Sequence, residues 1–197
     1  MVQLPKKMFQ FNNRKFVIGV DEVGRGPLAG PVVVASILVD ESILNMNVKD
    51  SKLLSKPVRN KLFEQLVANY KYCLAVVEPN VIDKINILNA TKKAMIMAIS
   101  ELRQYGDYDA YVDGNFKPID EPNTFCVIKG DLLLKPISAA SIIAKVFRDE
   151  LMTKLADQHP EYHWHKNSGY GTPAHIQAIR ELGPTIYHRK NFIKNFI

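Results

Sequence analysis

A mixed α/β layer sandwich with a helical C-terminal part is the fold class this sequence predicts, and three observations predict it. Short runs rich in Val and Ile recur up to about residue 128. Two long segments carry apolar residues at helical spacing, and beyond Pro136 the pattern is helical. A chain of 197 residues, 47% hydrophobic and 23% charged, is long enough to bury one substantial core. One domain over residues 1–197 is therefore expected, with a helical and loop segment from about residue 160 packing on it.

Phe16-Val17-Ile18-Gly19-Val20 is the first strand, and after a Gly/Pro-rich turn Pro31 to Val39 is the second. Their near-continuous apolarity predicts strands covered on both faces. Ser55-Lys56-Pro57 has the form of an N-cap with Pro in the first turn, opening a helix through about Ala68. Lys71 to Val77 is a third strand. From Asn86 onward, Leu88, Met95, Ala98, Ile99 and Leu102 make one buried stripe, with Lys92, Lys93 and Glu101 off it. Asp109 to Val112 and Thr124 to Ile128 are two further short strands. Ile137, Ala140, Ala144, Phe147, Leu151 and Leu155 form a second helical stripe.

Lys and Arg number 26 against 20 Asp and Glu, a net charge of +6, which favours polyanionic partners. Residues 129–197 hold ten of the basic residues against six acids, so a polyanion-facing surface is biased toward that third. Cys73 and Cys126 show no metal or redox spacing, and a reduced, cytoplasmic setting is expected. The opening stretch carries charge without a long apolar run, and no stretch of about 18 uncharged apolar residues occurs anywhere. Secretion and membrane insertion are not expected.

Chemistry is suggested by the residues at the C-terminal ends of the apolar runs. Val17 to Val20 lead into Asp21-Glu22, Tyr111-Val112 into Asp113-Gly114, and Val127-Ile128 into Lys129-Gly130-Asp131. A single Asp at a strand end is ordinarily a turn residue. Three such ends, one a doublet, point instead to carboxylates converging in the crevice beyond the strands. Such a group needs a compensating cation, and Mg²⁺ accepts oxygen ligands while keeping waters that a phosphate can displace.

Other motifs are weaker. Gly24-Arg25-Gly26-Pro27-Leu28-Ala29 matches a dinucleotide fingerprint, but it leads into a strand where that fingerprint must open a helix. Its glycines suggest close backbone approach to a sugar or phosphate. All five histidines lie between residues 159 and 188, in no closed zinc spacing, so ordinary surface-loop histidines are expected. Tyr162, Trp164 and Tyr170 near Lys166 read either as a stacking platform or, for Trp164, as packing against the last helices. The tail from Phe192 to Ile197 is read as an end segment that packs or frays, with a replication-partner peptide as the alternative.

The ordered set Val20-Asp21-Glu22-Val23-Gly24-Arg25-Gly26-Pro27-Leu28-Ala29-Gly30-Pro31, Asp50-Ser51-Lys52, Asn86-Ile87-Leu88-Asn89-Ala90-Thr91, Val112-Asp113-Gly114, Lys129-Gly130-Asp131, Ile137-Ser138-Ala139-Ala140-Ser141 and Gly169-Tyr170-Gly171-Thr172 resembles ribonuclease HII over roughly residues 16 to 190.

The resemblance implies a ribonuclease H-like fold, a mixed five-stranded sheet flanked by helices. It implies an endonuclease that hydrolyses the RNA strand of RNA–DNA hybrids and cuts 5′ of single ribonucleotides in duplex DNA, a role in repair and replication. By the same resemblance Asp21, Glu22, Asp113 and Asp131 hold two divalent ions, Mg²⁺ or Mn²⁺, and the products are a 5′-phosphate and a 3′-OH. Gly24, Arg25 and Gly26 sense the 2′-OH, and Tyr170 packs on the sugar at the RNA–DNA junction. Lys52, Lys129 and Lys166 are further substrate-binding candidates, and a monomer is expected. Two departures stand out: Ser168 occupies a position where the family often has Lys, with Lys166 the candidate substitute, and Phe147 one where it often has Thr. The rival readings are another metal-dependent phosphodiesterase or exonuclease of this fold, and a non-catalytic nucleic-acid-binding module.

Overall fold

Apolar alternation decides how the sheet is covered. The structure, a computed structural model, describes residues 16–197, and the opening stretch in which no signal peptide is read lies outside them. Strands β1 (Val17–Val23), β2 (Val32–Val39), β3 (Lys71–Val77), β4 (Asp109–Asp113) and β5 (Thr124–Val127) form one mixed sheet in the order β3-β2-β1-β4-β5. β2 runs antiparallel to both β1 and β3, whereas β1–β4 and β4–β5 are parallel. Every residue of β2 is buried, as expected of a strand covered on both faces.

One face, with Val17, Ala35, Ile37, Val39, Tyr111 and Val127, packs under helices α1 (Lys56–Asn69) and α4 (Lys135–Gln158). The other, with Ile18, Val20, Val32, Val34, Ala110 and Val112, packs under α2 (Pro79–Arg103). The period of two puts Gly19 and Asp21 on the α4 face of β1. A Cβ at Gly19 would overlap the carbonyl of Pro136, so only glycine lets α4 lie this close to the strand.

β1 extends past the expected end at Val20, because β2 pairs with it as far as Val23↔Val33. Asp21 and Glu22 are thus paired rungs of the strand, just ahead of its last at Val23. α2 begins seven residues before Asn86, which is itself non-helical at φ 63° and ψ 166°. The Asn86 side chain accepts from the Asn89 N–H at 3.0 Å and starts the helix afresh. Leu88, read as part of the buried stripe, is exposed. In the second half of α4 the expected stripe is also off by one position. Arg148, Met152 and Ala156 are buried while Phe147, Leu151 and Leu155 are partly buried, because this half faces a third core cluster built by the C-terminal segment.

That segment holds the short helices α5 (Trp164–Asn167), α6 (Pro173–Leu182) and α7 (Lys190–Ile193), after α3 (Gly130–Leu133) has bridged β5 and α4. Tyr162 and Trp164 are core residues here, so of this trio only Tyr170 is free to stack on a ligand. The tail packs: Ile193 is buried, and Phe192 and Phe196 lie against the same cluster. Among the described residues no helix is long and apolar enough to cross a membrane.

Candidate active site

Register assembles the acids. Val20 pairs with Val112 on the neighbouring parallel strand, so Asp21 and Asp113 are the next residues along and share the α4 face. Val127 pairs with Asp113. Immediately beyond, Lys129 adopts a left-handed turn (φ 56°) that starts α3 and aims the Gly130 N–H at Asp113 Oδ1, 2.6 Å away. Asp131 follows, buried, with Ser138 donating to its main-chain carbonyl at 2.7 Å.

Burial dominates the electrostatics. It raises the Asp21 carboxyl well above the ordinary range, and repulsion from Glu22 and Asp113 adds to it, opposed by the Ser141 hydroxyl and the Glu22 N–H. Glu22 is raised by burial, although Arg25 opposes the shift, and Asp113 is raised by burial and by Asp131. Burial pulls the Lys52 ammonium down, but Asp50, Asp131 and Asp21 together outweigh it and hold its pKa up.

Among the described residues no three acids, histidines or cysteines form a ready-made metal group. The four carboxylates are instead each engaged by a donor. Asp21 accepts from the Glu22 N–H at 2.7 Å, Glu22 from Arg25 at 3.3 Å, Asp113 from Gly130, and Asp131 lies 3.5 Å from the Lys52 ammonium. An all-oxygen donor set in which Asp21, Glu22 and Asp113 resist ionisation suits a hard divalent cation, which would relieve the repulsion.

The glycine loop sits beside the acids. Gly24 has φ +92°, and a Cβ there would overlap the Arg148 side chain. The Tyr170 ring lies over Gly26, its Cε1 3.7 Å from where a Cβ would stand, and the side of Tyr170 turned to solvent leaves it 45% exposed. Two buried guanidiniums hold this loop by main-chain carbonyls. Arg148 donates to Pro31 (3.0 Å), Ala29 (3.2 Å) and Ser168 (2.9 Å). Arg189 donates to Gly24 (2.6 Å), Arg25 (2.9 Å) and Gly30. Burial lowers Arg148 to about 10 and, with the repulsion of Arg148, lowers Arg189 to about 9, so both remain cations near neutrality. Gly169 C=O accepts from Leu28 and Ala29 N–H, completing the join between loop and Tyr170 turn.

The sequence-derived candidates therefore fall into two adjoining groups, the acids with Lys52 and the Gly24–Gly26 loop with Tyr170. Lys129 and Lys166 are exposed and make no bond to the four acids among the described residues. Sequence reasoning missed Ser138 and Ser141, two polar positions three apart inside the apolar start of α4, and it missed Arg148 and Arg189. It also read the histidines as surface residues, yet His175 and His188 are buried.

The model of one protein family, ribonuclease HII, matches residues 18–195. Ribonuclease HII of Rickettsia bellii is 51% identical over 176 residues, 89% of this chain and 89% of that one. The ribonuclease H2 structure from Pyrococcus horikoshii OT3 superposes with a TM-score of 0.77 at 29% identity, covering 92% of this chain and 96% of that one. The ribonuclease HII of Archaeoglobus fulgidus, solved in complex with PCNA, gives 0.75 at 27% identity over 88% and 93% of the two chains. By sequence and fold alike, the chain belongs to the ribonuclease HII family, endonucleases that act on the RNA of RNA–DNA hybrids.

Proposed function

We propose that the protein cuts the RNA strand of hybrids, and duplex DNA on the 5′ side of single ribonucleotides, through a two-metal site built on Asp21, Glu22, Asp113 and Asp131. Asp21 would serve both ions, with Glu22 and Asp113 holding one of them and Asp131 the other. When bound, Mg²⁺ or Mn²⁺ ions supply an activated water and charge neutralisation at the leaving 3′ oxygen. A 5′-phosphate and a 3′-OH result.

The chain's own residues do the rest. Ser141 holds the Asp21 carboxylate on the α4 face, and Ser138 anchors the main chain at Asp131. Lys52, its side chain 76% exposed, exchanges Asp131 for a substrate phosphate once that acid is engaged elsewhere. Main-chain N–H groups beside Gly24 and Gly26 read the 2′-OH, the one group that marks a ribonucleotide among deoxynucleotides. Tyr170 packs on the neighbouring sugar. Lys129 and Lys166 meet phosphates of the duplex at longer range, a salt-sensitive contribution. The catalytic unit spans residues 1–197 and acts in the cytoplasm as a monomer, on ribonucleotides left in DNA. A replication partner that reads the tail would meet Phe196 and the exposed Ile197, since Ile193 is buried in the chain's own core.

One observation carries this reading: Asp21 and Asp113 share a face on neighbouring strands and resist ionisation together, while Glu22 is tied to Arg25 of the loop on which Tyr170 packs. The test is cleavage of three duplexes holding zero, one and many ribonucleotides, with and without chelator. Cutting confined to the ribonucleotide-containing duplexes and abolished by chelator is expected. Cutting of the all-DNA duplex, or indifference to chelator, overturns the proposal and favours a rival enzyme of this fold.

A further inference from the structure

The donor pattern of the C-terminal segment assigns the tautomers of its two buried histidines. The Thr185 N–H donates to His188 Nδ1 at 2.9 Å, so in the neutral ring the proton sits on Nε2. That nitrogen is 3.1 Å from His175 Nε2, which also accepts from the Trp164 indole N–H at 3.0 Å. His175 Nε2 therefore carries no proton, and its Nδ1–H points at the Tyr170 carbonyl, 2.9 Å away. Burial lowers His175 and lowers His188 to about 4, so both stay neutral at ordinary pH. The relay ends on the main chain of the one aromatic residue that overlies Gly26, and it begins four residues before Arg189, which holds the other side of the same loop.

We infer that Trp164, His175 and His188 are positioning residues that fix Tyr170 over Gly26 and thereby set the selectivity for a single ribonucleotide over a long hybrid. The inference rests on the assignment of Tyr170 and Gly24–Gly26 to substrate sensing. A long hybrid offers many registers, so a displaced tyrosine costs it little. A lone ribonucleotide offers one junction, and loss of alignment there is felt in kcat.

The experiment compares kcat/KM on a single-ribonucleotide duplex with kcat/KM on a long hybrid, for the parent, Tyr170→Ala, His175→Phe, His175→Asn and the double variant Tyr170→Ala with His175→Phe. His175→Phe keeps the ring but removes the bond to Tyr170; the expected fall in the ratio is about three- to tenfold, the size of one buried hydrogen bond. His175→Asn returns an amide N–H near the position of Nδ1 and restores most of the ratio. The double variant is expected to match Tyr170→Ala alone. An unchanged ratio in His175→Phe beside an altered one in Tyr170→Ala overturns the relay, and so do losses that simply multiply in the double variant. An unchanged ratio in Tyr170→Ala overturns the sensing assignment itself, and the relay with it. If Phe at position 175 prevents folding, His188→Asn is read in its place: it keeps an acceptor for the Thr185 N–H and deletes the donor to His175.

Discussion

Gly19→Ala perturbs the closest approach between sheet and helix. The added methyl would overlap the Pro136 carbonyl and stand 2.8 Å from the Pro136 Cβ, where ordinary contact begins at 3.4 Å. Relief requires at least 0.6 Å at the ring, from 2.8 to 3.4 Å, and more at the carbonyl. The partners are a carbonyl and a ring fixed to the main chain, since Gly19 is a paired residue of β1 between β2 and β4 and Pro136 lies in the first turn of α4. No side chain can rotate out of the way, so the cost falls at the upper end for overpacking, about 3 kcal/mol. In a chain of this size that lowers Tm by roughly 6–12 °C. The shift also carries Ser138 and Ser141, which hold Asp131 and Asp21, and misplacement approaching 1 Å costs roughly ten- to hundredfold in kcat. Thermal unfolding and metal-dependent cleavage of a hybrid measure the two effects. Gly26→Ala is the stability control, because a methyl there meets only the Tyr170 ring at 3.7 Å. A Gly19→Ala protein that melts with the parent and cuts at the parental rate refutes the packing argument.

Asp21→Asn removes a buried carboxylate that resists ionisation, so the metal-free protein should melt about 2–4 °C higher, the equivalent of roughly 1 kcal/mol. Cleavage should be lost along with most of the stabilisation by Mn²⁺ in the same melt; a lower metal-free Tm contradicts the account. Arg189→Lys replaces a planar fork that reaches the carbonyls of Gly24, Arg25 and Gly30 with one ammonium that cannot reach all three. Urea unfolding should show a loss of about 2–4 kcal/mol, and a loss below 0.5 kcal/mol would count against the clamp. Burial lowers His188 from about 6.5 to about 4, so the unfolded chain takes up the proton first as pH falls. Stability from this residue is full above about pH 6.5 and declines toward pH 4, by up to roughly 3 kcal/mol. His188→Asn should flatten that part of the stability–pH curve, measured by urea unfolding at fixed pH steps.

Strands were legible wherever Val and Ile ran together, because a strand buried on both faces needs no polar partner; all five lie within a few residues of their expected bounds. The acids were legible because each follows such a run. What escaped was set by distant partners. The extension of β1 to Val23 depends on β2. The α4 stripe was misphased because Arg148, polar by type, is buried against carbonyls more than a hundred residues away in sequence. His175 and His188 read as surface residues since the bond that joins them in the core spans 13 positions of chain. The first part of α2 was missed because Asn86 breaks the helical phase. The Gly26–Tyr170 contact has no local signature at all.

Arg189 meets Gly24 across 165 positions of chain. At a ribosomal pace of about 5–20 residues per second, the front loop waits roughly 8 to 33 s for the guanidinium that closes it. The nascent polypeptide thus carries its acids long before it can grip a backbone correctly. Nuclease competence thus waits on the segment that carries Arg189 and not on the carboxylates made before it.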